Sequence, residues 1–162
     1  MSPRPAAAPR PRRYGGRVAL VRRADPADLD ALLPLVAEFC AVDGHEFAPA
    51  RVGSALRPLL ADDGLGEVWV LADDGGLSGY AVVTWGWSLE AGGREALLDE
   101  LYVRERNQGA GALLLEAAAV GSRAAGASRL FLETESANAA VRRFYARHGF
   151  AAEDSVWMQR PL

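Results

Sequence analysis

The chain has 162 residues, half of them hydrophobic, and a formal net charge of −3, values that predict one globular domain. All 18 basic residues are arginine, which excludes a Walker phosphate loop and every Schiff-base enzyme, because both need a lysine. The single cysteine, Cys40, excludes an internal disulfide and is expected to be a small buried residue. His45 and His148 lack partners at ligand spacing, so no metal site is predicted.

The first 16 residues differ in composition from the rest of the chain. They contain four prolines and four arginines and no acidic residue, so we expect a disordered tail over 1–16 and a folded domain over 17–162. The tail lacks the apolar stretch of a secretory signal, and the expected location is cytoplasmic. The acidic balance of the remainder favours a cationic small molecule over nucleic acid, and no apolar run is long enough for a membrane span.

Hydrophobic periodicity predicts ten secondary-structure elements. In chain order they are strand 17–22, a helix that starts at Asp25-Pro26 and ends before Gly44, helix 49–60, strands 68–72, 79–88 and 95–103, helix 109–125, strand 128–133, helix 137–148 and strand 156–160. The three middle strands are predicted to form an antiparallel meander, because turn residues separate them. The predicted fold is a single α+β domain with a mixed central sheet flanked by helices, in the order β-α-α-β-β-β-α-β-α-β.

A glycine-containing loop between a strand and a helix carries the strongest functional signal. The segment Arg106-Asn107-Gln108-Gly109-Ala110-Gly111 allows backbone N–H groups to converge on an anion at a helix N-terminus, with an arginine beside it. That arrangement predicts a pyrophosphate site. A dinucleotide fingerprint would need a third glycine where this chain has Leu114, which disfavours the alternative of a nicotinamide-dependent redox domain.

Three motifs in this order resemble those of the GNAT superfamily of acetyl-CoA-dependent N-acyltransferases. The glycine loop resembles the coenzyme loop of that family, and Leu101-Tyr102-Val103 resembles the strand before it. Asn138, with Phe144-Tyr145 and Gly149-Phe150 after it, resembles the second motif of the family. The likeness extends over about residues 17–160. One difference is that two residues separate Val103 from Arg106, where family members usually have four.

The resemblance implies acetyl-CoA as co-substrate and a role for each matching residue. The residues implied to contact the coenzyme are Leu101, Val103, Arg106, Gln108, Gly109, Ala110, Gly111, Asn138 and Tyr145. Leu101 would act through its backbone N–H at the thioester carbonyl. Asn138 would bind the pantetheine or cap its helix, and Tyr145, two helical turns later, would protonate the leaving thiolate.

An acceptor amine must lose a proton before it attacks, and two acids precede Leu101. Strand alternation predicts that Asp99 and Glu100 point to opposite faces, and Glu100 is the preferred base because Tyr102 shares its face. Asp99, Glu100 and Trp85 are the expected acceptor-binding residues.

The sequence thus predicts an N-acetyltransferase that moves an acetyl group from acetyl-CoA to a primary amine by direct attack in a ternary complex, without a metal. The expected acceptor is a cationic small molecule such as a polyamine or an aminoglycoside. A protein N-terminus or side chain as acceptor, and a non-catalytic acyl-CoA-binding regulator, are alternatives that stay open. Whether the chain forms a homodimer is also open.

Overall fold

The computed structural model describes residues 12–14 and 17–161. These residues form two compact units, one that ends at residue 132 and one that begins at residue 133. The first unit contains the strands and three helices, and the second contains one helix. The elements are β1 Arg12–Tyr14, β2 Arg17–Arg23, α1 Leu29–Asp43, α2 Pro49–Ala61, β3 Gly66–Asp73, β4 Gly76–Ser88, β5 Gly93–Val103, α3 Ala110–Ala124, β6 Leu130–Phe131 and α4 Ala139–Arg147. No helix among these residues is both long and apolar enough to cross a membrane.

The described strands form one mixed sheet in chain order, β1 to β6. Strands β1 to β5 pair antiparallel with their neighbours, and β6 pairs parallel with β5. The predicted α+β class, mixed sheet and antiparallel meander are therefore confirmed. The contact between β5 and β6 is short, because it joins only Ala96 and Leu97 to Leu130 and Phe131.

A capping box starts the first helical segment, as Asp25-Pro26 predicts. The Ala27 N–H donates to the Asp25 carboxylate at 2.8 Å, and the Asp25 N–H donates to Asp28 at 2.9 Å. Arg22 on β2 donates twice to Asp28, at 2.6 and 2.7 Å, and this bond lowers the pKa of that carboxyl. Helix α1 then runs to Gly44, whose φ of 77° supplies the left-handed cap.

The two faces of the sheet carry different partners. One face packs against α1 and α2 in a core of buried apolar residues: Leu32, Leu35, Val36, Leu56, Leu60, Val68, Val70, Tyr80 and Val82. Strand alternation sends Glu67 and Trp69 to the opposite face, where Gly121 of α3 approaches them. Helix α3 buries Leu114, Leu115 and Ala118. The sheet is thus covered on both faces in its centre.

Two predicted segments differ from the structure. Arg12–Tyr14, expected to be disordered, pairs with β2 as a strand, because this proline-free segment follows the open edge of β2. The rest of the predicted tail lies outside the described residues. The predicted last strand, 156–160, is not formed in the described chain, and Val156, Trp157 and Met158 are exposed. A strand needs a ladder partner, and no strand is described in the unit that contains this segment.

We predict that Gly121→Ala lowers the free energy of unfolding by about 1–3 kcal/mol, although alanine is the better helix former. A Cβ at Gly121 would lie 2.1 Å from Glu67 Oε2 and 2.7 Å from the Trp69 ring. Glu67 cannot retreat easily, because it is buried, accepts a bond from Trp69 Nε1 at 2.9 Å and pairs with Arg23.

The matched control is Gly53→Ala in α2, where the nearest atom to the added Cβ is 3.6 Å away. This variant should gain about 0.5–1 kcal/mol from helix propensity. Urea unfolding of both variants measures the difference. A Gly121→Ala protein as stable as the Gly53→Ala protein would contradict the proposed close packing of α3 on β3.

Candidate active site

A β-bulge in β5 sets the directions of the two predicted acidic residues. Val82 of β4 pairs with Glu100, but Val83 pairs with Leu98, so Asp99 is an extra residue without a partner in the ladder. As a result, Asp99 and Glu100 both line one cavity. The prediction that they point to opposite faces is wrong, because an inserted residue shifts the alternation by one position.

The cavity has a volume of about 450 Å³ and is bounded by α1, α2, β4 and β5. Its buried floor consists of Val36, Cys40, Leu56 and Val82. Its exposed mouth consists of His45, Glu46, Arg51, Ala55 and Asp99, and Val52, Leu59 and Glu100 lie between floor and mouth. An ammonium group in this cavity would meet carboxylates, and the body attached to it would meet aliphatic side chains.

Glu100 is held by a hydrogen bond that the sequence did not reveal. The Tyr80 hydroxyl, which is fully buried, donates to Glu100 Oε2 at 2.6 Å. Burial raises the pKa of Tyr80, so the phenol remains a donor at neutral pH. Burial also raises the pKa of Glu100, and the Tyr80 bond opposes that rise because it favours the charged carboxylate. The site therefore contains an oriented carboxyl group with more than ordinary basicity.

Asp99 is the more exposed of the two acids. The protein atoms around its carboxyl nevertheless raise its pKa through desolvation. Its charge in turn contributes to the raised pKa of Glu100. Both carboxyl groups are therefore more basic than an ordinary carboxyl group, and the charge of Asp99 affects the titration of Glu100.

Cys40 and His45 also belong to this cavity. Cys40 is buried in the floor as expected, and burial, with Glu100 second, raises the pKa of its thiol. His45 Nδ1 lies 3.3 Å from Asp43 Oδ2 at the mouth. No cluster of three potential metal ligands occurs among the residues that the structure describes.

The glycine loop has the backbone geometry of an anion site. Asn107 and Gly109 adopt left-handed conformations with φ of 64° and 88°, and α3 starts at Ala110. No side chain caps the first turn of α3, so its N–H groups are available to an anion. Nothing lies within 4 Å of the position that a Cβ on Gly109 would take, so the turn is open on this side. The Ala110 side chain is buried and anchors the turn, while Arg106 and Gln108 are exposed beside it.

Arg104 anchors the short lead-in to this loop. Its guanidinium binds Glu38 of α1, with Nη2 to Oε1 at 2.7 Å and Nε to Oε2 at 2.9 Å, and donates to the Leu77 carbonyl at 2.8 Å. Tyr102 donates to the same carboxylate at 3.1 Å, and Arg104 lowers the pKa of Glu38. These bonds fix the strand end to α1 and β4 immediately before the loop. No sequence motif identifies Glu38.

Leu101 lies where one edge of β5 becomes open. The ladder to β6 ends at Leu97, and beyond it β5 has a described partner only on the β4 side. An open strand edge presents unpaired backbone groups to a ligand. Leu101 and Val103 are therefore on a strand segment that an extended chain such as pantetheine can approach.

The second unit contains the remaining predicted coenzyme residues. Asn138 caps α4 by accepting from the Val141 N–H at 3.2 Å, which is one of its two expected roles. Tyr145 packs edge-on against Phe144 and Phe150, with ring centroids 5.1 and 5.5 Å apart. Burial raises the pKa of Tyr145 to about 12, so its phenol carries its proton at neutral pH.

Trp85 does not line the cavity. Its indole N–H donates to the Asp63 carbonyl at 2.8 Å, and the Arg94 guanidinium lies over its ring at 5.6 Å. Val82 of the same strand lines the cavity, and Trp85 follows it by three residues, so strand alternation directs the Trp85 side chain to the opposite face. Trp85 therefore packs against residues outside the cavity.

We predict that Tyr80→Phe destabilises the protein by about 1.5–3 kcal/mol at pH 8 and by less at pH 5. The phenol favours the charged form of Glu100, so its loss should raise the pKa of that carboxyl further. Because the pKa in the folded state then lies higher above the unfolded value, stability falls as pH rises through it. Urea unfolding at both pH values measures the effect.

The control is the same substitution in a Glu100→Gln background, where no charge remains to be stabilised. The pH dependence of the Tyr80→Phe effect should disappear there. An equal loss at both pH values in the wild-type background would mean that the hydroxyl bond does not support a charged Glu100.

Comparisons with known proteins agree with this architecture. The model of the Acetyltransferase (GNAT) family matches residues 35–150. No curated protein sequence matches the chain. Among solved structures, an integron cassette protein from the mobile metagenome of Cole Harbour Salt Marsh is 30% identical, with a TM-score of 0.79 over 88% of this chain and 90% of that one.

Two more distant structures share the fold. An aminoglycoside acetyltransferase from an uncultured soil metagenomic sample, in complex with sisomicin, is 19% identical with a TM-score of 0.76, over 89% of this chain and 96% of that one. A ribosomal-protein-alanine N-acetyltransferase from Brucella melitensis biovar Abortus 2308 is 21% identical with a TM-score of 0.68, over 88% and 98%. The family match covers most of the chain and includes β5, the glycine loop and α4. The chain therefore belongs to the GNAT family of acetyltransferases.

Proposed function

We propose that this acetyltransferase moves an acetyl group from acetyl-CoA to the primary amine of a small molecule, by direct attack within a ternary complex. The observation that carries the proposal is Glu100: a half-buried, oriented carboxylate in a cavity, immediately before Leu101 on the open edge of β5. In this arrangement a carboxylate that can bind an ammonium group is next to a backbone N–H that can bind the thioester carbonyl. No covalent enzyme intermediate is needed.

Glu100 supplies the first proton transfer. It attracts the ammonium form of the acceptor and accepts one proton, directly or through a water molecule, so that the neutral nitrogen attacks the thioester carbonyl. Its raised pKa favours this step, because a base works best near the operating pH. Asp99 lines the same cavity and is the competing candidate.

Leu101 and Tyr145 serve the acyl group and the leaving group. The Leu101 N–H donates to the carbonyl oxygen as negative charge develops on it. The C–N bond forms, the C–S bond breaks, and the Tyr145 phenol gives its proton to the thiolate. A pKa of about 12 keeps Tyr145 protonated until that moment. The nitrogen then loses its second proton to the Tyr145 phenolate, directly or through a water molecule, and Glu100 releases the first proton to solvent. The products are an N-acetyl amide and the free coenzyme thiol.

The glycine loop supports binding of the coenzyme pyrophosphate. The uncapped first turn of α3 and the space at Gly109 fit an anion, and Arg106 and Gln108 lie beside it. Gly111 in the first turn keeps the backbone accessible. Val103 and Asn138 complete the proposed set along the pantetheine, as the family motifs imply.

A small-molecule acceptor is favoured over a protein side chain by the shape of the cavity. Its floor is buried and its volume of about 450 Å³ lies within the usual range for small-ligand sites. The aminoglycoside acetyltransferase with the same fold acts on a small amine, which is consistent with this choice.

We predict distinct kinetic signatures for the two proton-transfer residues. Glu100→Gln should raise the acceptor KM, lower kcat and move the pH–rate profile to higher pH, because the free amine must form without help. Tyr145→Phe should lower kcat by about 10²–10⁴ with little change in KM. Both variants should bind acetyl-CoA as the wild type does.

The control is Asp99→Asn, which removes the neighbouring charge and leaves the Tyr80–Glu100 bond in place. Initial rates across about pH 6–10 separate the three variants. If Asp99→Asn shows the larger pH shift, Asp99 is the base. If all three retain wild-type rates, the proposed proton transfers are wrong.

A further inference from the structure

We propose that the acceptor is a primary amine attached to an uncharged, apolar body, and not the polyamine or aminoglycoside that the overall charge suggests. The inference rests on the proposed function, because it identifies what occupies the cavity beside Glu100. It follows from where the charged and the aliphatic residues of the cavity lie.

The interior of the cavity has one charged group. Below the mouth, Glu100 is surrounded by the aliphatic side chains of Val36, Val52, Leu56, Leu59 and Val82. A substrate whose ammonium binds Glu100 must therefore bury its next few atoms against hydrocarbon. Each methylene that leaves water for such a wall raises the affinity about fourfold, whereas a second ammonium or a hydroxyl without a partner there lowers it.

The mouth of the cavity contains charges of both signs. Asp99 and Glu46 are acidic, but Arg51 lies among them and donates through Nη2 to the Glu46 carbonyl at 3.1 Å. A second ammonium would meet the Arg51 guanidinium as well as the carboxylates. The mixed charge gives a polycation little advantage over a monoamine.

Two amines with the same number of heavy atoms test the inference. Heptylamine and 1,6-diaminohexane differ by one terminal methyl in place of an ammonium. We expect kcat/KM for heptylamine to exceed that for the diamine by about 10² or more, since a buried apolar contact and an unpaired charge each contribute to the difference. Equilibrium binding, measured by calorimetry, should follow the same order.

A matched pair of variants locates the cause in the cavity. Ala55→Glu places a carboxylate at the mouth and should reduce the preference for heptylamine about tenfold. Ser54→Glu adds the same charge one residue away on α2, where the side chain is exposed and outside the cavity, and should leave the preference unchanged.

The outcomes separate the inference from the proposed function. If the wild type acetylates the diamine as well as heptylamine, or if both variants change the preference equally, the apolar acceptor is overturned and the acetyltransferase stands. If neither amine is acetylated but heptylamine binds more tightly, the apolar cavity stands and the proposed reaction fails. Absence of both binding and transfer overturns both.

Discussion

The β-bulge at Asp99 is the constraint on which the candidate site depends. A regular strand would send one of two consecutive carboxylates into the face covered by α3, where burial without a partner would be costly. The extra residue instead turns both acids toward the cavity, and Tyr80 on the neighbouring strand binds the inner one. The fold thereby places both carboxyl groups at one cavity and leaves neither charge in the apolar core.

The same strand connects this point to the loop. Strand β5 loses its β6 partner beyond Leu97, passes Glu100 and Leu101 and ends at Val103. Arg104, the next residue, is fixed in place by Glu38 and the Leu77 carbonyl. The cavity residues Asp99 and Glu100, an open strand edge and the uncapped start of α3 thus follow one another within about a dozen residues. Because these three features are close in the sequence, strand pairing and not a long loop determines their relative positions.

The sequence predicted what local periodicity and motifs encode. The helices over 49–60 and 109–125, the meander and the capped start at Asp25 all depend on nearby residues, and the structure confirms them. The sequence could not reveal the bulge, because no glycine marks it. It also could not reveal the Arg104–Glu38 and Tyr80–Glu100 bonds, which join residues 66 and 20 positions apart. The two consecutive acids between Leu98 and Leu101 were the one available hint. The predicted strand 156–160 failed because pattern alone does not provide a pairing partner.

The central claim is that the acceptor amine occupies the cavity beside Glu100, and Cys40 in its floor is the reporter that tests it most directly. As the single cysteine of the chain, it gives one mass shift on reaction with methyl methanethiosulfonate, and Cys40→Ala gives none. The account predicts that the best acceptor amine, at ten times its Kd, slows this labelling about tenfold by occupancy, while acetyl-CoA alone has little effect. Labelling that is unchanged by the amine, or blocked by acetyl-CoA alone, would contradict the account.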